Sequence, residues 1–313
     1  MRVNSLAFLA VAAFEATAKP VEIAERAAPT LYLAGDSTMA KSNDGVMDGW
    51  GPYISKYINL PVVNKAIGGR SARSYTNEGR FAEIERVVKS GDIVVIEFGH
   101  NDGGSPNGPN DNGRSDCPGT GSETCRSGKT GELVHTFNHY VENAARSYIA
   151  KGAKVVVSSQ TPNNVWETGT FLPSPPRFVG YAALAARNIG GGASFVDHFE
   201  ATAKAYWKIG RDATNRLYPK DHTHTSPAGA DLVARAFAQA IDISLNGTTP
   251  LKSYVKSGYP KACAGTPEDA VALAVDFDLV LLAAEDVCPD LAVMPETKTH
   301  LNLTRAGSRH DEC

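Results

Sequence analysis

The chain has 313 residues, enough for one large or two small domains, and its 42% hydrophobic and 21% charged residues are ordinary for a globular protein. A net charge of −3, with no basic cluster interleaved with aromatics, argues against a nucleic-acid-binding surface. The apolar run from Leu6 to Phe14 is too short to serve as a permanent membrane anchor. With Arg2 before it and Ala16-Thr17-Ala18 after it, the run predicts a secretory signal over residues 1–18, and 19–28 would be a tail or pro-segment.

Five short segments rich in Val, Ile, Leu and aromatics follow, at 31–34, 62–66, 93–98, 155–158 and 195–196. Their apolar runs are continuous rather than alternating, as in strands covered by helices on both faces of a parallel sheet. Helical spacing of apolar residues recurs between them. It is carried by Tyr53, Ile54, Tyr57 and Ile58, then by Phe81, Ile84, Val87 and Val88, and continues over 133–150 and 181–188. The clearest helix is the last one: Ser226 stands as N-cap and Pro227 at the first helical position, before Leu232, Val233, Ala236, Phe237 and Ile241. The alternation predicts an α/β fold, a three-layer sandwich over residues 29–250, with ligand at the carboxyl ends of its strands. Residues 101–130 stand apart as a polar stretch rich in Gly, Pro, Asn and Ser, read as an ordered rim over a site. Residues 251–313 form a C-terminal tail to which no structure is assigned.

An exported chain exposes its cysteines to oxidation. Cys117 and Cys125 would close a nine-residue ring within the polar stretch, while Cys263, Cys288 and Cys313 cannot be paired from sequence. Asn246-Gly247-Thr248 and Asn302-Leu303-Thr304 are N-glycosylation sequons.

The candidate chemistry lies in the loops after the strands. The first strand runs into Gly35-Asp36-Ser37, which presents a serine hydroxyl at the open end of a sheet, with a helix expected to start behind it. A serine is a weak nucleophile and needs a base, an acid that orients the base, and donors for an oxyanion. Gly68-Gly69 follows the second strand and Gly99-His100-Asn101-Asp102 the third. Before the last helix comes Asp221-His222-Thr223-His224, in which a carboxylate three residues ahead of an imidazole can take its Nδ1 proton and leave Nε2 free. His-x-His beside Asp221 is also a zinc-ligand spacing, but no third ligand block accompanies it, so no metal and no cofactor is expected. His100, His135, His139 and His198 read as packing or solvent-facing residues, Glu83 and Glu85 as a solvated helix face, and Asp36 as a turn residue. Met39 stands where a Gly-x-Ser-x-Gly elbow would carry its second glycine, which disfavours an α/β-hydrolase.

These blocks, in this order, resemble the SGNH hydrolases, or GDSL esterases, over residues 30–245. Within that superfamily, Tyr32-Leu33-Ala34-Gly35-Asp36-Ser37-Thr38-Met39-Ala40, Gly69-Arg70-Ser71-Ala72-Arg73-Ser74-Tyr75 and Asp221-His222-Thr223-His224-Thr225-Ser226 are most similar to rhamnogalacturonan acetylesterases. The resemblance implies a flavodoxin-like fold with a five-stranded parallel sheet. It implies Ser37 as nucleophile, His224 as base and Asp221 as its orienter, with an oxyanion hole from the N–H groups of Ser37 and Gly69 and the amide of Asn101. It also implies activity on acetylated plant cell-wall polysaccharide; with the signal segment, a secreted monomer is expected. Arg70 and Arg73, with Lys220, are candidate contacts to galacturonate carboxylates, and His222 is a further candidate substrate contact. The competing readings are a general or xylan acetylesterase, a lipid-directed esterase, a zinc-dependent deacetylase and a non-catalytic carbohydrate-binding protein.

Overall fold

Strand β1 (Leu31–Gly35) is second of the five strands of the central sheet. The structure, a computed structural model, describes residues 28–243 and 249–260. The signal segment, both sequons, Cys263, Cys288, Cys313 and the tail past 260 lie outside the described residues. After β1 come a 3-10 turn (Gly51–Lys56), β2 (Val62–Asn64), α1 (Ala72–Asn77), α2 (Arg80–Val87) and β3 (Ile93–Glu97). A hairpin follows, β4 (Thr124–Arg126) and β5 (Leu133–His135), and then α3 (Phe137–Ala150), β6 (Lys154–Ser158), α4 (Arg177–Ile189) and β7 (Ala193–Val196). Helices α5 (His198–Ile209), α6 (Arg211–Arg216) and α7 (Pro227–Ile243) close the domain.

The five long-range strands form one all-parallel sheet in the order β2-β1-β3-β6-β7. The chain therefore steps one way from β1 to β2 and the other way from β1 to β3. The loops leaving β1 and β3 diverge there, and a crevice opens at the carboxyl edge of such a sheet. Alternate residues of each strand feed two separate cores. Leu31, Leu33, Ile93, Val95, Val156 and Val196 pack with Trp50, Tyr206, Phe237 and Ile241. Ala34, Val94, Ile96, Val155 and Val157 pack with Tyr75, Phe81, Phe137, Tyr148 and Phe178 on the other side. Each such side chain contributes roughly 1.5–3 kcal/mol by leaving water, so the strand pattern is the main source of the three-layer order.

Several expectations shift in detail. The apolar run at 50–58 makes a short 3-10 turn over Gly51–Lys56 instead of an α-helix, and Gly51 at its start lies close against the Met39 carbonyl and the Asn64 amide. The helix expected over 133–150 starts only at Phe137. Thr136, extended, caps it by accepting from the His139 N–H at 3.1 Å, and the three residues before it pair with β4. Helix α7 starts as expected, with the Ser226 hydroxyl accepting from the Gly229 N–H at 3.3 Å. Residues 249–260 stay on the domain: Leu251 is buried and Val255 bridges to Ile58.

Residues 101–130 hold their shape with little apolar side chain to bury. Cys117 and Cys125 are disulfide-bonded. Arg73, on α1, pins the stretch from beneath: it grips Asp111 with two bonds of 3.0 and 2.9 Å, donates to the Ser115 carbonyl at 2.8 Å, and meets Glu132. A second buried polar hub sits at the end of β3. Glu97 accepts from Trp50 Nε1 at 2.8 Å and Ser158 Oγ at 2.6 Å, and faces His198 Nδ1 at 2.8 Å. The other ring nitrogen of His198 meets the Val233 carbonyl at 2.9 Å, so this one imidazole ties α5 and α7 to the sheet.

Candidate active site

The serine turn is built by close approach. An added Cβ on Gly35 would lie 2.7 Å from Met39 Sδ and 2.9 Å from the Glu97 carbonyl oxygen, so only glycine lets β1 end here with Met39 tucked beneath it. Asp36 is buried, and its Oδ1 accepts from the Thr38 N–H and hydroxyl, both at 2.9 Å. The chain then makes one turn, closed by Ala40 N–H on the Asp36 carbonyl at 3.0 Å. The helix expected behind Ser37 is absent; the turn unwinds into the loop that leads to Trp50. Ser37 stays half-buried at its top.

His224 reaches the serine from the loop before α7. Its Nε2 lies 2.8 Å from Ser37 Oγ, and its Nδ1 lies 2.8 Å from Asp221 Oδ2. The other Asp221 oxygen accepts from the N–H groups of Thr223 and His224, both at 2.7 Å, which fixes the turn that sets carboxylate beside ring. Partial burial pushes the Asp221 carboxyl up, but those two N–H groups and the His224 ring outweigh it and hold it below the usual carboxylate range. An ionised Asp221 keeps the proton on Nδ1, and Nε2 then accepts from the serine hydroxyl. The loop is anchored by Asp48 N–H on the Thr225 carbonyl at 2.9 Å. This arrangement suits a serine nucleophile with an oriented base.

Gly68 and Gly69 pass beside the serine. A Cβ on Gly68 would sit 3.7 Å from Ser37 Cβ, and Gly69 has φ +75°, a conformation that favours glycine. The Asn101 amide is held at both ends: Nδ2 donates to the Arg70 carbonyl at 3.1 Å, and Oδ1 accepts from Arg114 Nη1 at 3.1 Å. Arg114 Nη1 also donates to the Gly69 carbonyl at 3.4 Å, so one guanidinium links the two oxyanion candidates that come from different loops. The second hydrogen of Nδ2 remains to donate elsewhere.

Asp102, next to Asn101, is fully buried, and its Oδ1 accepts from the Ala72 N–H at the start of α1 at 2.7 Å. Its side chain meets that of Asp116, whose own N–H donates to the Asp102 carbonyl at 3.1 Å. Burial, opposed by the Ala72 N–H and reinforced by the nearby Asp36 charge, pushes Asp102 up to about 7. Burial and the Asp102 charge raise Asp116 well above the carboxylate range. Two carboxyls that share a buried space resist ionising together, and this pair lies directly beside Asn101.

The arginines divide differently from the sequence expectation. Arg73 is 1% exposed and spends its donors on Asp111, Glu132 and Ser115, so it is a brace inside the fold and not a substrate contact. Arg70 reaches the surface beside Gly69, but its Nε is held by Glu78 at 3.0 and 3.2 Å. Lys220 pairs with Asp44 at 3.0 Å. His222 lies exposed on the rim, with Nδ1 3.1 Å from Glu167. His100 hydrogen-bonds Thr161 at 3.3 Å and Gln160 at 3.4 Å, away from the serine contact. Sequence reasoning missed Arg114 and Asp116. Their only signal was membership of the long polar stretch, which lacks any period that sorts buried from exposed residues. Among the described residues, no group of three or more His, Cys, Asp or Glu side chains is arranged to hold a metal ion. No described helix is long and apolar enough to cross a membrane.

With this geometry in place, the similarities to known proteins are informative. The GDSL-like Lipase/Acylhydrolase family model matches residues 31–237. A rhamnogalacturonan acetylesterase of Emericella nidulans is 56% identical over 216 residues, which is 68% of this chain and 85% of that protein. A probable rhamnogalacturonan acetylesterase of Bacillus subtilis, YesY, is 26% identical, over 67% of this chain and 91% of its own length. Among solved structures, protein YxiM of Bacillus subtilis matches with a TM-score of 0.56 at 24% identity, over 70% of this chain and 58% of that one. That structure shares the fold, and the family match spans both the serine turn and the Asp221-to-His224 loop. The chain belongs to the GDSL-like lipase/acylhydrolase family.

Proposed function

We propose that this chain is an exported serine esterase that hydrolyses acetyl esters of rhamnogalacturonan, acting as a monomer. The observation that carries the reading is the 2.8 Å contact from Ser37 Oγ to His224 Nε2, continued at 2.8 Å to Asp221. The 56% identity to a rhamnogalacturonan acetylesterase supports the choice of substrate. Ser37 Oγ attacks the acetyl carbonyl carbon while His224 Nε2 takes its proton. The tetrahedral oxyanion accepts from the N–H groups of Ser37 and Gly69 and from Asn101 Nδ2. The imidazolium, stabilised by ionised Asp221, protonates the departing sugar oxygen and leaves an acetyl-serine. Water, deprotonated by the same ring, attacks that ester; collapse releases acetate and returns the proton to Ser37.

Acetate release from acetylated rhamnogalacturonan and from acetylated xylan tests the substrate. Preference for the pectic substrate is expected, and equal or faster release from xylan refutes it. Ser37→Ala should cut turnover by about 10⁴-fold or more on either substrate, and activity that survives the change refutes the mechanism.

A further inference from the structure

A cleft of about 360 Å³ opens beside the oxyanion candidates, lined by Gly69, Arg70, Asn77, Glu78, Asn112 and Arg114 among others. Its size is in the range of small-ligand sites, about 300–1,000 Å³. Two of its charges cancel, because Arg70 and Glu78 pair at 3.0 Å, and Glu78 also meets Arg80 at 3.4 Å. Arg114 is different. Among the described residues no carboxylate lies within salt-bridge reach of it, and the hydrogen bonds its guanidinium makes to them all leave from Nη1. The Nε–Nη2 edge, two parallel donors on a fixed positive charge, is unengaged by any described residue, and such an edge matches a carboxylate in bidentate fashion.

The guanidinium is also held in advance. Arg114 N–H is fixed by Asn112 Oδ1 at 2.9 Å, and the same loop is gripped at Asp111 by buried Arg73. We propose that Arg114 is the specificity-determining residue of this site, binding the carboxylate of a uronic acid in the cleft so that an acetyl ester on that sugar or its neighbour meets Ser37. The proposal rests on the esterase reading above and deepens it by naming the recognised group. It also joins recognition to chemistry, since the Nη1 that touches Asn101 Oδ1 belongs to the guanidinium that receives the carboxylate.

The test crosses the residue with the charge it binds. Acetylated rhamnogalacturonan oligosaccharides are compared with free galacturonate carboxyls and with those carboxyls methyl-esterified, using wild type, Arg114→Met and Arg114→Lys. For wild type, methyl esterification should lower kcat/KM by roughly ten- to a hundredfold, the worth of a charged hydrogen-bonded contact. Arg114→Met should lower both rates by a common factor through the lost Nη1 contacts to Asn101 and Gly69 and, beyond that, erase the preference for the free acid, with Arg114→Lys between them. Equal losses on both substrates would leave Arg114 as a support for Asn101 only and overturn the proposal, as would a wild type indifferent to methylation. A second arm needs no polysaccharide: galacturonate, but not its methyl ester, should inhibit p-nitrophenyl acetate hydrolysis by wild type and not by Arg114→Met. A wild type that releases no acetate from either oligosaccharide yet shows this inhibition refutes the polysaccharide and keeps the carboxylate site; no Arg114-dependent inhibition refutes the site.

Discussion

Replacing Arg73 by methionine removes the cation from the brace under the 101–130 stretch and keeps most of its bulk. Arg73 and Asp111 are each 1% exposed, so the change strands a buried carboxylate. Breaking one side of a buried pair costs about 3–5 kcal/mol. The second partner, Glu132, is 39% exposed and loses little, because water replaces the arginine. At about 2–4 °C per kcal/mol for a domain of this size, Tm should fall by roughly 6–20 °C. The pH dependence gives a sharper signature. Burial alone would raise the Asp111 carboxyl, but the Arg73 bonds, the Ser127 hydroxyl and the Gly113 N–H bring it down to about 2. A carboxyl depressed in the folded state contributes stability that is complete above its unfolded value near 4 and is lost as pH falls toward 2. The amount is about 2 kcal/mol at 1.36 kcal/mol per unit. Wild type should lose that increment across the window, and Arg73→Met should not, since its Asp111 is governed by burial. Urea unfolding of both proteins from pH 7 to pH 2 measures the difference. A variant within 1 kcal/mol of wild type at pH 7, or one that keeps the same acid slope, would refute the brace.

Two further outcomes follow from the site. Asn101→Ala should lower kcat by about 10²–10³-fold, the worth of one oxyanion donor, with folding intact by circular dichroism; an unchanged kcat removes Asn101 from the oxyanion hole. Asp116→Asn tests the buried carboxyl pair. Carboxyls raised in the folded state stabilise below the unfolded value near 4, and that contribution is lost as pH rises through the folded value, about 7 for Asp102. Wild type should therefore weaken between pH 4 and pH 8. The variant, whose amide can donate to Asp102, should weaken less, and identical slopes in denaturant unfolding would show that no proton is shared.

The sheet was legible because strands buried on both faces read as unbroken Val and Ile runs, and α7 because its Ser226 cap and Pro227 precede a helical period. The meeting of Ser37, Asp221 and His224 was legible because they lie in the loops just after β1 and just before α7, where a local motif sets the orientation of each. The arginines were not. Arg73 and Arg114 are alike in sequence, and what separates a brace from a cleft wall is contact with Asp111 and Glu132, 38 and 59 positions from Arg73. The hairpin β4–β5 escaped notice for the same reason: its exposed, polar first strand is held by a disulfide and not by an apolar pattern.

The disulfide-closed, arginine-braced stretch has an architectural consequence. Ser37 and the Asp221–His224 turn hang from β1 and from the loop before α7, whereas Arg114 rides on a segment closed by a disulfide and clipped to α1 by Arg73. On the proposed reading, the nucleophile and its base therefore belong to the sheet and its last helix, and recognition belongs to the loop. On that reading, exchanging the interior of that segment, with Cys117, Cys125, Asp111 and Arg114 kept, would retune which sugars are accepted while Ser37, Asp221 and His224 stay in place.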